Sequence, residues 1–318
     1  MRDVRVAKRI VITPSKIFIS ALSLFLLFCF ILFLLVRHHT FAVLSPAGQI
    51  AQSELNLMKF AALLSLIVII PVFGILFYVI FTFRESKKSK KYAPEYSNVL
   101  LELVWWAIPL GIITILSIVT WNQTHQLDPF KSLSSNQTHV RIQAVAMNWK
   151  WLFIYPDYGI ATVNELTIPT DHPIDFSITS EGPMNSLWIP QLGGQIYAMA
   201  GMNTELHLIA SKTGIYRGVS ANISGSGFAG MHFNVSAVNT QTFSRWASSM
   251  TSQPQTLTKG TLHQLAEPSE NVEPFVFGTV ENGLYDTIVN QYMPFQPDPD
   301  NGKTNAMSMH SMSSMEGM

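Results

Sequence analysis

Few side chains in this sequence are placed to do chemistry, and the most telling is a carboxylate. Glu102 is the only charge in an apolar run of 22 residues, 99–120, and it stands near the start of that run. A carboxylate inside hydrocarbon is costly and marks a functional site by default. About one turn from the end of a spanning helix, its natural chemistry is to take up a proton from the aqueous side. The plainer alternative is an interfacial acid that meets the positive N-terminal end of its own helix dipole. The residues alone leave both readings open. Soft metal ligands occur at the other end of the chain, where residues 307–318 hold five methionines and His310. Thioethers can hold Cu(I), but a tail this polar cannot bury enough apolar surface to fold, and disorder without a role is the expectation. His38-His39 reads as an ordinary interfacial pair. The sole cysteine, Cys29, lies in another apolar run and cannot form a disulfide within the chain.

The elements that would position these groups follow from composition. Only 13% of the 318 residues are charged and 48% are hydrophobic, against about 25% charged in soluble domains. The deficit sits in three apolar runs, residues 17–36, 60–83 and 99–120, each long enough to cross a bilayer as a helix. Pro71 and Pro109 interrupt the second and third, which neighbouring helices in a membrane tolerate. Between those two runs lies Arg84-Glu85-Ser86-Lys87-Lys88-Ser89-Lys90-Lys91, with five positive charges against one negative, which places this loop in the cytoplasm. Everything after Trp121 then faces the periplasm. Arg2, Arg5, Lys8, Arg9 and Lys16 keep the N-terminus inside as well. The first run is expected as a retained helix; cleavage after Thr40-Phe41-Ala42 is the alternative. Net charge is zero, so no field exists for nucleic acid.

From His139 the pattern changes to short strands. Val140, Ile142, Ala144 and Ala146 alternate onto one face, and Trp149, Trp151, Phe153 and Tyr155 share one face of the next strand. Pro156-Asp157-Tyr158-Gly159 is a turn. Further strands are expected at 160–168, 174–179, 205–210, 214–221 and 231–238, which together indicate a β-sandwich or barrel. Helices follow, one carrying Phe243 and Trp246 and one near 257–266, and an apolar stretch at 284–292 closes the folded part. The expected organisation is an N-terminal apolar segment (1–42), a helical hairpin (43–123), a β-domain (124–239), a helical arm (240–293) and a disordered tail (294–318).

A helical hairpin followed by a β-domain is the plan of subunit II of haem-copper oxidases, and several motifs make the resemblance specific. Glu102-x-x-x-Trp106-x-x-Pro109 resembles the family's signature on its second conserved helix. Trp149-x-Trp151-x-Phe153-x-Tyr155 resembles its aromatic strand. The segment from Asn185 to Gly193, Asn-Ser-Leu-Trp-Ile-Pro-Gln-Leu-Gly, resembles the one that carries the first copper-binding histidine. Gly214-Ile215-Tyr216-Arg217-Gly218 leads into the family's copper loop. The resemblance spans about residues 49–293 and implies a cupredoxin-like fold for the β-domain.

The departures decide which branch it resembles. In the cytochrome c oxidase branch the loop reads Cys-Ser-Glu-x-Cys-Gly-x-x-His-x-x-Met. Here the cysteines fall on Ser220 and Ser224, the glutamate on Asn222, the loop histidine on Phe228 and the upstream histidine on Asn185; only the methionine, Met231, remains. A dinuclear copper centre needs bridging thiolates and imidazoles, and neutral serines do not replace them. A subunit II without that centre is similar to those of quinol oxidases, as are the stretches 189–202 and 225–231 in detail.

The resemblance implies a non-redox subunit of a proton-pumping oxidase that oxidises quinol and reduces oxygen to water. This chain would hold no cofactor, with haems and copper in subunit I. Its partners would be the haem-bearing subunit I, small membrane subunits and lipid, with no cytochrome c and no nucleic acid. It would sit in the bacterial inner membrane as a multi-pass protein with its C-terminal domain in the periplasm. By the same resemblance Glu102 stands at the mouth of a proton path into subunit I. The aromatic strand, which receives electrons in copper-containing relatives, is expected to serve packing here, and Met231 is expected in the core. A tethered copper-handling protein using the Met-rich tail is the rival from another class.

Overall fold

The computed structural model describes residues 41–82, 98–133 and 135–292, with eight helical positions between residues 23 and 35. Cys29, His38-His39, the basic loop 84–91 and the Met-rich tail lie outside the described residues. The described residues form two compact units, one lying within residues 41–46 and 51–128 and the other within residues 47–50 and 129–292.

The first unit is built on two helices long and apolar enough to cross a membrane, α1 (Gln49–Thr82) and α2 (Val99–Gln126). α1 starts eleven residues before the apolar run expected from sequence. Ala51, Glu54, Leu55, Leu57 and Met58 are good helix formers and carry the helix outward. Its 34 residues make it about 51 Å long at the usual rise, well beyond the roughly 30 Å of a hydrocarbon core. Phe73, Phe77 and Phe81 form a ladder along it, with centroids 6.1 and 6.5 Å apart. α2 likewise runs past the expected end at residue 120 to Gln126. Its start is capped by Asn98, whose Oδ1 accepts from the backbone N–H groups of Leu100 and Leu101 at 3.0 and 3.3 Å.

The second unit is a sandwich of two sheets with a C-terminal arm. In chain order its first ten strands are β1 (Val140–Met147), β2 (Lys150–Tyr155), β3 (Ile160–Val163), β4 (Glu165–Pro169), β5 (Pro173–Ser180), β6 (Asn185–Trp188), β7 (Ile196–Ala198), β8 (Thr204–Ile209), β9 (Gly214–Ser220) and β10 (His232–Val238). The arm adds α3 (Thr240–Met250), β11 (Thr256–Leu257), α4 (Lys259–Ala266), β12 (Phe275–Phe277), β13 (Thr279–Val280) and α5 (Leu284–Gln291). One sheet has the order β12-β3-β2-β1-β5-β8 and the other β4-β10-β9-β6-β7. β1 runs parallel to β5 and β4 parallel to β10; the remaining pairs within these two sheets are antiparallel.

Sequence suggests one strand over 160–168, but the structure divides it. Asn164 adopts a left-handed φ of 54°, so the chain leaves one sheet as β3 and enters the other as β4. The turn is fixed from both ends of the amide. Asn164 Oδ1 accepts from the Trp151 N–H at 2.9 Å, and Nδ2 donates to the Val272 carbonyl at 2.7 Å. Asparagine tolerates this conformation better than most residues.

Two apolar layers result. Trp151, Phe153, Tyr155, Phe176 and Phe233 lie between the sheets, with Phe153 and Phe233 4.9 Å apart. The opposite face of β1 and β2 (Val145, Met147, Leu152 and Ile154) is covered by the arm through Leu257, Leu262, Phe277, Leu284, Tyr285 and Ile288. Every residue of β2 is therefore buried. That includes Lys150, whose ammonium donates to the carbonyls of Leu265 and Glu267 at 2.6 and 2.8 Å and to Ser269 Oγ at 2.6 Å. Asn148 Nδ2 donates to the Ala266 carbonyl at 3.0 Å. Lys150 and Asn148 thus satisfy the C-terminal carbonyls of α4 and pin the arm to the sandwich.

Candidate functional site

Glu102 lies in the first turn of α2, and its backbone N–H donates to the Asn98 carbonyl at 3.0 Å. Its side chain lines a shallow groove with Val99, Leu103, Trp106, Ala107 and Leu110. A second groove further along the same helix is lined by Ile113, Leu116, Ser117, Thr120, Trp121, Thr124 and His125. Spacings of three and four residues place Glu102, Trp106, Leu110, Ile113, Ser117, Thr120 and Thr124 on one face. The carboxylate and most of the hydroxyls of the span therefore share a single stripe. His125 ends the stripe region with Nδ1 2.8 Å from the Trp121 carbonyl, which makes Nδ1 the protonated nitrogen.

The loop that corresponds to the copper site is brought together as the motif order requires, and hydrogen bonds to one another, to Trp151 and to the backbone hold its side chains. Asn185, at the start of β6, donates from Nδ2 to Ser224 Oγ at 3.0 Å. Ser220, at the end of β9, accepts from Trp151 Nε1 at 3.1 Å. Asn222 donates to the Met184 carbonyl at 2.9 Å. Met231 is buried in the core between the sheets, while Phe228 is half-buried on a short 3-10 turn. Asn185 is fully buried, yet its Oδ1 has no hydrogen-bond partner. Two hydroxyls, two amides, a phenyl ring and one thioether do not fit a dinuclear copper centre, which requires thiolate bridges and imidazoles.

Trp149 corrects one expectation. Its spacing places it on the strand face with Trp151, Phe153 and Tyr155, but it stands in the turn before β2 with φ of 65°. It still packs on the same core, and its Nε1 donates to the Ser224 carbonyl at 3.1 Å. The tight approach of the loop requires glycine: a Cβ at Gly227 would lie 2.5 Å from the Trp149 ring. The four aromatics thus serve the interior of the domain, three from the strand and one as a brace for the loop.

Sequence patterns gave no sign of one polar cluster. Asp175 on β5 accepts from His139 Nδ1 at 2.8 Å and from His207 Nδ1 on β8 at 2.7 Å. The three residues lie more than thirty positions apart, so no local spacing reveals them. Among the described residues no three His, Cys, Asp or Glu side chains are grouped to hold a metal ion. Glu181, at the exit of β5, has one carboxylate oxygen buried without a partner. Burial pushes its carboxyl above the ordinary range, with Gln291, His263 and Tyr292 pulling weakly the other way.

A helical pair joined to a two-sheet domain with the remnant of a copper loop defines the class of haem-copper oxidase second subunits. Residues 159–238 match the family model for the periplasmic domain of cytochrome c oxidase subunit II, and residues 252–295 match the COX aromatic rich motif. The chain is 47% identical over 250 residues to the cytochrome bo(3) ubiquinol oxidase subunit 2 of Pseudomonas aeruginosa, covering 78% of this chain and 75% of that one. It is 42% identical to that of Pseudomonas putida, over 81% of this chain and 83% of that one. It is also 42% identical to the ubiquinol oxidase subunit 2 of Acetobacter aceti, over 86% and 90%. The chain belongs to the ubiquinol oxidase subunit 2 family, and its β-domain is cupredoxin-like. It is a membrane subunit of a terminal oxidase.

Proposed function

We propose that this chain is the non-redox second subunit of a proton-pumping oxidase that takes electrons from quinol and reduces oxygen to water. The observation that carries this reading is the donor set of the loop, where Ser220, Ser224, Asn185 and Phe228 stand at the positions of the copper ligands. A subunit without that centre offers no port to a soluble electron carrier. Electrons then reach the metal centres of the large subunit from quinol within the membrane, as the names of the relatives suggest. Haems and copper belong to that large subunit, and this chain binds none. Its own tasks are to fix the large subunit's helices and to cap its periplasmic face. Small membrane subunits and lipid complete the complex in the bacterial inner membrane. The five positive charges of residues 84–91 favour a cytoplasmic hairpin loop and a periplasmic β-domain.

Glu102 takes protons from the cytoplasm and hands them to the large subunit. Its position in the first turn of α2 supports this, and so does the stripe it shares with Ser117, Thr120 and Thr124. Hydroxyls and a carboxylate on one side of a spanning helix are stable against a protein partner rather than against lipid tails. The test is Glu102→Gln in the purified complex. Turnover or proton release should fall about tenfold or more, as for loss of a positioned proton carrier. Wild-type turnover together with wild-type pumping would refute the role.

A further inference from the structure

The polar side chains where β6 meets the end of β9 do not close their own hydrogen bonds. Asn185 and Leu187 share one face of β6, and Ser220 stands opposite Leu187 in the register. Asn185 and Ser220 are therefore diagonal neighbours on that face, and both are buried. Ser224 joins them through the bond from Asn185 Nδ2 to its Oγ. Three N–H groups point into this cluster, and each is already used: Trp151 Nε1 on Ser220 Oγ, Trp149 Nε1 on the Ser224 carbonyl and Asn185 Nδ2 on Ser224 Oγ. One acceptor and two hydroxyl protons are left over. Asn185 Oδ1 is buried without a donor. Among the described residues neither the Ser220 nor the Ser224 hydroxyl has an acceptor for its own proton.

A fully buried acceptor without a donor is rare and points to a ligand. The leftover groups define its chemistry: it donates to Asn185 Oδ1 and accepts from a serine hydroxyl. It is also neutral. No Asp or Glu occurs in residues 182–204 or 218–231, so a cation would be buried there without a balancing carboxylate and among N–H dipoles. An anion would find all three N–H groups already used. An apolar guest would leave the amide oxygen unpaired. Turning the amide over only exchanges the orphan acceptor for an orphan donor. Water, which donates and accepts, meets every condition, and a buried water ordinarily makes about three bonds to polar groups left over in this way.

We propose that one ordered water binds between Asn185 and Ser220, donating to Asn185 Oδ1 and accepting from the Ser220 hydroxyl, and that it ties the loop 220–231 to β6 where copper-containing relatives use a metal. The test uses the full chain purified in its complex. A density map fine enough to show ordered water should place one peak about 2.5–3.0 Å from both Asn185 Oδ1 and Ser220 Oγ. The peak should vanish in Asn185→Leu, whose branched side chain matches the amide in size. Hydrogen exchange of the loop amides gives a second readout. Asn185→Ala and Ser220→Ala share no direct bond, yet in a double-mutant cycle their effects should depart from additivity by about threefold or more. Ser220→Ala with Asn222→Ala should be additive, because the Asn222 amide bonds the Met184 carbonyl outside the cluster. Three results would each overturn the water site: a protein donor on Asn185 Oδ1 with no peak beside it, additive effects in the first pair, or a peak at a metal distance of about 2.0–2.2 Å.

Discussion

Lys150 offers the sharpest test of how the arm is held. Lys150→Met keeps the length of the stem and removes the ammonium, leaving the carbonyls of Leu265 and Glu267 and the hydroxyl of Ser269 without their donor. A hydrogen bond from a charged donor contributes about 1.5–3 kcal/mol. Two effects reduce the sum of three. The wild-type ammonium is desolvated, which lowers its pKa from the ordinary lysine value with Glu267 opposing, and Glu267 is exposed enough for water to replace part of the lost bonding. A net loss of about 2–4 kcal/mol remains. The loss should appear as local opening of the arm rather than as unfolding of the sandwich. At 1.4 kcal/mol per factor of ten, amide exchange in α4 and residues 265–272 should accelerate roughly 30- to 1000-fold. Hydrogen exchange followed by mass spectrometry on the detergent-purified complex reads this peptide by peptide. Unchanged exchange in α4, or acceleration spread evenly over β5 and β10, would refute the clamp.

Three further outcomes follow from other contacts. Glu181→Gln should make the β-domain more stable near neutral pH. A carboxyl raised above its unfolded value binds more protons when folded, so wild-type stability falls as pH rises from the unfolded value near 4.5 through the raised folded one; thermal melts across pH 4–8 should show this slope flattened in the variant. Asn164→Gly and Asn164→Ala both lose the bonds to Trp151 and Val272, but alanine also strains at φ 54°. The alanine variant should be less stable than the glycine variant by about 1–2 kcal/mol in chemical denaturation, and equal stability would contradict the left-handed turn. Trp151→Phe and Ser220→Ala should couple by about 0.5–1.5 kcal/mol in a double-mutant cycle, since each removes one side of the same buried bond.

Periodicity made most of the fold legible. Alternation identified β1, and the strand-like stretches expected at 174–179, 205–210, 214–221 and 231–238 match β5, β8, β9 and β10 to within a few residues, because each buries side chains against the other sheet. It failed where neither rule of period two nor apolar length applies. β6 and β7 are short, and the segment between them is uncharged throughout. The break at Asn164 depends on bonds to Trp151 and Val272, one of them 108 positions away, so nothing local announces it. The sequence of β2 reads as a strand with one aromatic face, whereas the arm buries the other face too, a tertiary fact. Lys150 is the clearest example: a lysine between two tryptophans reads as exposed, and only α4, more than a hundred residues later, accounts for its burial. For the loop 220–231 the sequence offers residue types at positions set by the family resemblance, where thiolates and imidazoles are missing. Its internal bonding, Asn185 to Ser224 and Trp151 to Ser220, was not, because side-chain partners across three strands leave no pattern in sequence.

On the proposed function, electrons do not pass through this subunit. The direct measurement is oxygen consumption by the complex purified through a tag on this chain, with reduced quinol and with reduced cytochrome c offered separately. Uptake is expected with quinol and none above background with cytochrome c. Sustained uptake with cytochrome c as sole donor would mean that electrons enter by a route the Ser220, Ser224 and Asn185 positions do not provide, and would refute a non-redox role for this subunit.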